Sequence, residues 1–238
     1  MRMTSIHRRL SLLLALLCLL LSVSACNRSH AHVGTPTELG FRDDSTGVEY
    51  VNCNVIAVKP LAMSEEAYCE AGDISYYSIN FEDPSRFLCD FDKESGSSIV
   101  YRNRELPDIT IGNFNAIAAF LYIDGIQPQR VAQLYANDEY LPEELQGQNP
   151  SQDTALVQQI TDALVNGKER AVSPSDYSDE DLYYFRLLSA DYPGLYYSVC
   201  FFGDIYGRYY VQDMATFRIA DAPSEITAWI VGSGGDSV

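Results

Sequence analysis

Three histidines, three lysines and six cysteines set the outer limits of the chemistry that this 238-residue chain can perform. The histidines are His7, His30 and His32, all near the N-terminus. The stretch expected to fold, 48–231, contains none. That argues against Ser-His-Asp hydrolysis, Cys-His proteolysis, HExxH metalloprotease chemistry and His-ligated zinc in that stretch. His30-Ala31-His32 falls in a polar segment and reads as a solvated pair. The lysines, Lys59, Lys93 and Lys168, form no Ser-x-x-Lys centre. No Walker A loop and no Gly-x-Gly-x-x-Gly opening a helix is present. No cofactor and no metal site is expected.

Cys53, Cys69, Cys89 and Cys200 lie in the folding region and form no Cys-x-x-Cys pair. They could make two disulfides, or remain four buried thiols. Asp90-x-Asp92-x-Glu94 spaces carboxylates as a calcium loop does, but Ser95 stands where glycine is needed and Tyr101 where the closing glutamate belongs. A solvated hairpin turn is the better reading. The cluster Asp176, Asp179, Glu180 and Asp181 reads as the acidic first turn of a helix. A hydrolytic carboxylate pair cannot be located among 33 acids from sequence, and no catalytic residue is assigned.

Tyrosine is abundant. The chain has 17, including the doublets 76–77, 183–184, 196–197 and 209–210. Neighbours on a strand point to opposite faces. A hairpin with its loop at 203–207 would pair 202 with 208 and 199 with 211. One face then carries Tyr197, Val199, Phe201, Tyr209 and Val211 and is the core face. The other carries Tyr196, Ser198, Cys200, Phe202, Arg208, Tyr210 and Gln212. Tyr196, Arg208, Tyr210 and Gln212 are the candidate ligand-binding residues of this face, where rings and hydrogen-bonding groups would meet a partner. The competing expectation is that another layer covers them, and a one-residue register slip would exchange the faces.

The elements that must position these residues read as α+β: mostly antiparallel strands with a block of helices in the second half. Strands are expected at 48–59, 74–82, 86–92, 98–102, 195–202, 207–213 and 216–219, with a short one at 108–111. Residues 63–70 read as a short helix or loop, and 113–123 as a short helix begun by Asn113 or Asn115. Helices follow at 128–136, opened by Pro128, at 152–166, closed by Gly167, and at 179–189, where Ser178 and Asp181 resemble a capping box. A last helix starts at Pro223. The best internal break is 141–151, dividing one domain into two possible subdomains, and 232–238 reads as a disordered tail. No repeat of fixed period is evident.

The N-terminus has its own pattern. Basic residues Arg2, Arg8 and Arg9 precede an apolar run, Leu10 to Leu21, that is too short to span a bilayer. Ser22-Val23-Ser24-Ala25-Cys26 follows. This order resembles the lipobox signal of bacterial lipoproteins. The resemblance implies a signal peptide at 1–25, cleavage by signal peptidase II before Cys26, and acylation of Cys26, with 26–47 as a flexible tether. Two or three acyl chains suffice for durable anchoring, whereas one binds marginally. The expected location is the cell membrane, lipid-anchored and facing outside the cytoplasm.

The whole chain carries a net charge of −17. Its first 25 residues hold three arginines and no acid, so the rest holds 13 basic and 33 acidic side chains, a net of −20. Such a polyanion is a poor partner for nucleic acid. The sequence therefore points to a membrane-anchored binding or interaction module for a peptide, glycan or envelope protein. The alternatives are an envelope hydrolase using a carboxylate pair and a structural or assembly subunit.

Overall fold

The computed structural model describes residues 31–59, 62–92, 97–123, 129–135 and 154–233. The signal peptide, Cys26, His30 and the proposed break at 141–151 lie outside the described residues. The strands are β1 (His32–Pro36), β2 (Gly40–Asp43), β3 (Glu49–Asn52), β4 (Ile56–Val58), β5 (Met63–Ala71), β6 (Ile74–Ile79), β7 (Phe87–Cys89) and β8 (Val100–Asn103) in the first half. β9 (Ala116–Ile123), β10 (Gln129–Tyr135), β11 (Tyr177–Ser189), β12 (Leu195–Asp204), β13 (Tyr209–Asp213) and β14 (Ile219–Asp221) follow. Two α-helices are described, α1 (Thr154–Asn166) and α2 (Ser224–Ser233).

Seven strands close a barrel in the order β1-β2-β3-β8-β7-β6-β5, shut by a parallel β1–β5 pairing with His32 opposite Cys69. The remaining strands form a seven-stranded sheet, β10-β9-β11-β12-β13-β14, with β4 crossing over to pair with β12. Aromatic rings fill the barrel: Phe41 stacks on Tyr76 at 3.6 Å between centroids and on Tyr50 at 4.9 Å. The barrel wall facing the sheet supplies Cys53, Ile79, Phe87, Cys89 and Val100 to one core shared with Phe185, Val199, Phe201 and the helices. α1 enters that core with Leu156, Val157, Ile160 and Leu164. Gly194 sits at the joint. Its N–H donates to buried Glu82 Oε1 at 3.0 Å, its carbonyl accepts from Lys59 N at 2.9 Å, and a Cβ there would lie 2.5 Å from the Asn80 carbonyl.

The expected helical block is replaced by strands, and the chain is mostly β. Residues 179–189 belong to the 13-residue β11, which lies between β9 and β12 in the sheet. Aspartates near Ser178 imitate a helix start, but Phe185 and Leu187 alternate as inward, buried residues with Tyr184 and Arg186 facing out. Aromatic residues favour a pleated, half-buried surface, and two neighbouring strands supply one. The same holds for 113–123 and 128–136, which become β9 and β10, and for 63–70, which becomes β5. No strand forms at 108–111. Residues 32–43, inside the stretch expected to act as a tether, form β1 and β2. α1, α2 and most other strands lie where the sequence places them.

The hairpin register is Phe202 opposite Tyr210 and Val199 opposite Asp213, two residues from the expected pairing. A shift of two preserves every face because the side-chain period is two. Tyr197, Val199, Phe201, Tyr209 and Val211 accordingly face the main core. All four tyrosine doublets divide between faces: Tyr77, Tyr183, Tyr197 and Tyr209 join the main core, while Tyr76, Tyr184 and Tyr210 join other clusters and Tyr196 lies on the outer sheet face.

Candidate functional site

Among the described residues, a second layer packs on the outer face of the sheet at one end. There, Cys200, Phe202, Tyr210 and Ile219 are buried beneath Val172, from the segment that links α1 to β11, and Tyr177, the first residue of β11. This is the covering layer weighed from sequence, built from a connecting segment rather than a helix. Where that segment crosses β13 and β14 it leaves a polar cleft of about 340 Å³, lined by Glu169, Arg170, Ala171, Val172, Asp176, Arg208, Tyr210 and Asp221.

Both arginines in the cleft are already matched. Arg170 holds Asp221 through Nε, 2.9 Å from each carboxylate oxygen, and through Nη2. Arg208 Nε donates to Asp204 Oδ2 at 2.7 Å. Asp204 also accepts the Tyr210 hydroxyl at 3.1 Å and the backbone N–H groups of Tyr206 and Arg208, both at 2.9 Å. Burial alone would raise the Asp204 pKa, but these hydrogen bonds outweigh it and hold the carboxyl below its ordinary range. Burial pushes the Tyr210 phenol up. Among the described residues, Glu169 and Asp176 stand in no ion pair. The cleft therefore offers two carboxylates without an ion-pair partner among the described residues, Asp176 accepting the Ser175 hydroxyl at 3.4 Å, beside two ordered guanidinium groups. The tip of the β12–β13 hairpin rises beside it, with Ile205 and Tyr206 exposed and Arg208 5.2 Å from the Tyr206 ring centre.

Of the four candidate residues read from sequence, Arg208 and Tyr210 meet in this cleft. Gln212 lies two residues farther along β13, opposite Cys200 and Ile219, and does not line it. Tyr196 is elsewhere, about 20 Å along β12 from Phe202 at strand rise. It packs instead beside Arg186. Sequence reasoning missed Arg170, Glu169 and Asp221 because their approach depends on the path of a connecting segment without periodicity. It placed Asp176 among the acids of a helix's first turn, and that helix is the strand β11.

The fold does contain a histidine. His32 Nδ1 lies 2.8 Å from Asp43 Oδ2, and its ring packs 4.6 Å from that of Tyr68. The pair resembles the orienting half of a catalytic dyad, but no nucleophile is placed within hydrogen-bond reach of its other nitrogen among the described residues. Its partner shows a structural role: Asp43 also accepts Ser45 N at 2.9 Å and Thr46 Oγ1 at 2.8 Å, tying the β2–β3 turn. Asp213 does the same in the β13–β14 turn, accepting Ala215 N at 2.9 Å and Thr216 Oγ1 at 2.7 Å.

Cys53, Cys69, Cys89 and Cys200 are four buried thiols, none in a disulfide. Burial pushes Cys69 up to about 11 and Cys89 up to about 12, so neither is poised as a nucleophile. Asp90 serves its own hairpin, accepting Ile99 N at 2.7 Å and the Tyr101 hydroxyl at 3.1 Å. Among the described residues no group of three His, Cys, Asp or Glu side chains is arranged to hold a metal ion, and no helix is long and apolar enough to cross a membrane.

Comparison of the chain with protein-family models, with curated proteins and with solved structures finds no match.

Proposed function

We propose that this chain is a lipid-anchored, extracytoplasmic binding module whose ligand enters the cleft between the 168–177 segment and β13–β14. The ligand class that suits the site is a peptide carrying a basic group. One observation carries this reading: Arg170 and Arg208 are satisfied by Asp221 and Asp204, while Glu169 and Asp176 share the cleft without a cationic partner among the described residues. A lysine or arginine side chain supplies the missing charge, and its aliphatic stem suits the Tyr210 ring and Val172. The net charge of −20 beyond the first 25 residues steers cations toward the domain. The Val23-Ser24-Ala25-Cys26 pattern supports the anchor. β1 begins six residues after Cys26, so an acylated Cys26 would hold the fold within about 20 Å of the lipid surface.

Calorimetric titration with short basic, neutral and acidic peptides tests the binding reading. Basic peptides should bind, and Glu169→Gln with Asp176→Asn should weaken them about tenfold or more. Equal affinity for all three peptide classes, or no effect of the double variant, rejects it. Metabolic labelling with a fatty-acid probe tests the anchor separately: Cys26→Ser should abolish labelling. A second reading, carboxylate-pair hydrolysis, draws on the same two acids. Turnover of cell-wall fragments that is lost in Glu169→Gln would favour it.

A further inference from the structure

The other end of the outer sheet face holds an arginine that, unlike the two in the cleft, has no carboxylate partner among the described residues. Arg186 lies on β11 between Phe120 of β9 and Ser198 of β12. Tyr122 and Tyr196 occupy the diagonal positions on either side. The guanidinium carbon sits 4.2 Å from the Tyr122 ring centre and 4.9 Å from that of Tyr196. Arg42, Arg102, Arg104, Arg170 and Arg208 each pair with a carboxylate. Arg186 makes no ion pair among the described residues, in a chain with 33 acids. None of its cross-strand neighbours is acidic.

We propose that Arg186 anchors a second binding site, for an oxyanion, either a carboxylate or a phosphate, separate from the cleft and independent of its ligand. The guanidinium carbon lies over two rings, one from β9 and one from β12, which leaves the N–H edges as the groups that can take a polar partner. Those edges form a planar fork that matches two oxygens of one oxyanion. The rings hold the fork still, so little side-chain freedom is lost on binding, and their quadrupoles compensate the half-buried charge while the site is empty. Ser198, the cross-strand partner of Arg186, carries a hydroxyl that adds a donor for the same oxyanion. The site selects by geometry as well as charge, since the protein's overall field repels anions.

The test follows the Arg186 Nε–H signal in protein labelled with nitrogen-15 arginine. The signal is assigned in the wild type by through-space contacts to the Tyr122 and Tyr196 rings. Sodium acetate and inorganic phosphate are titrated separately at constant ionic strength, with chloride as the balancing ion. Saturable movement of the signal with either probe supports the site: saturation by acetate alone assigns a carboxylate source, and by phosphate alone a phosphate source. Tyr196→Leu should weaken binding, and Arg186→Lys, which keeps the charge but loses the fork, should weaken it about tenfold or more by calorimetry. A shift that chloride reproduces, a shift that never saturates, or unchanged affinity in both variants overturns the proposal. Basic-peptide binding at the cleft should survive Arg186→Lys, so the two sites fail separately.

Discussion

The Tyr197 hydroxyl donates to Asp213 Oδ1 at 2.8 Å, and both side chains are buried where β12 meets β13. The carboxylate is shared: the same aspartate ties its own turn through Ala215 and Thr216. Removing the phenol therefore costs less than removing the acid. Tyr197→Phe should lower the unfolding free energy by about 1 kcal/mol, and Asp213→Ala by about 3 kcal/mol. Urea denaturation of both variants measures this. Equal losses would show that the turn draws no stability from Asp213 beyond the tyrosine bond.

Asp43 governs part of the acid limb. Burial alone would raise its pKa, but hydrogen bonds from His32, Thr46 and Ser45 prevail and keep it below the ordinary aspartate value. A carboxyl depressed in the folded state stabilises the protein above its unfolded pKa, and that contribution is lost as pH falls through the folded value. Wild-type stability should therefore decline below about pH 4. Asp43→Asn should be less stable at neutral pH and show a shallower decline in urea midpoint over that range. Parallel curves for the two proteins would refute the assignment.

The two aspartate-tied turns differ at one backbone position. Gly47 has φ of 78° with nothing near a would-be Cβ, whereas exposed Phe217 adopts φ of 59° in the corresponding place. A bulky residue in the left-handed region is strained. Phe217→Gly should raise stability by up to about 1 kcal/mol, and Gly47→Ala should lower it by about 1 kcal/mol. Thermal unfolding of the pair checks both signs.

The four thiols offer a site-resolved test. Alkylation followed by peptide mapping should leave Cys53, Cys69, Cys89 and Cys200 unmodified in the native protein and modify all four in denaturant without reductant. Protection that persists in denaturant until reductant is added would mean disulfides.

The division of faces was legible because it depends only on strand parity. Each of the pairs at 196–197 and 209–210 splits between faces in any register. The hairpin register differs from the expected one by two and so keeps the faces matched, and Arg208 and Tyr210 fall together because they share one strand's parity. Strand identity was less legible where polar signals mimicked helix starts. Ser178 and Asp181 satisfy a local rule, but pairing of β11 with β9 and β12 is a tertiary fact that a local window does not contain. His32 was misplaced for a related reason: the polar run around it contains few apolar residues, and its order comes from pairing with distant β5. Arg186 was hidden because its tyrosine neighbours, Tyr122 and Tyr196, lie 64 and 10 residues away in sequence.

The parallel closure of the barrel has a mechanical consequence. β1 is bonded on both flanks, to β2 and to β5. Tension arriving from an N-terminal anchor would run along the β1 axis, while the ladder bonds lie across it. Such a load strains the bonds of both ladders together, in shear, rather than peeling them one at a time. Were the chain anchored through Cys26, β1 would be the strand best placed to bear a pull without unravelling the fold behind it.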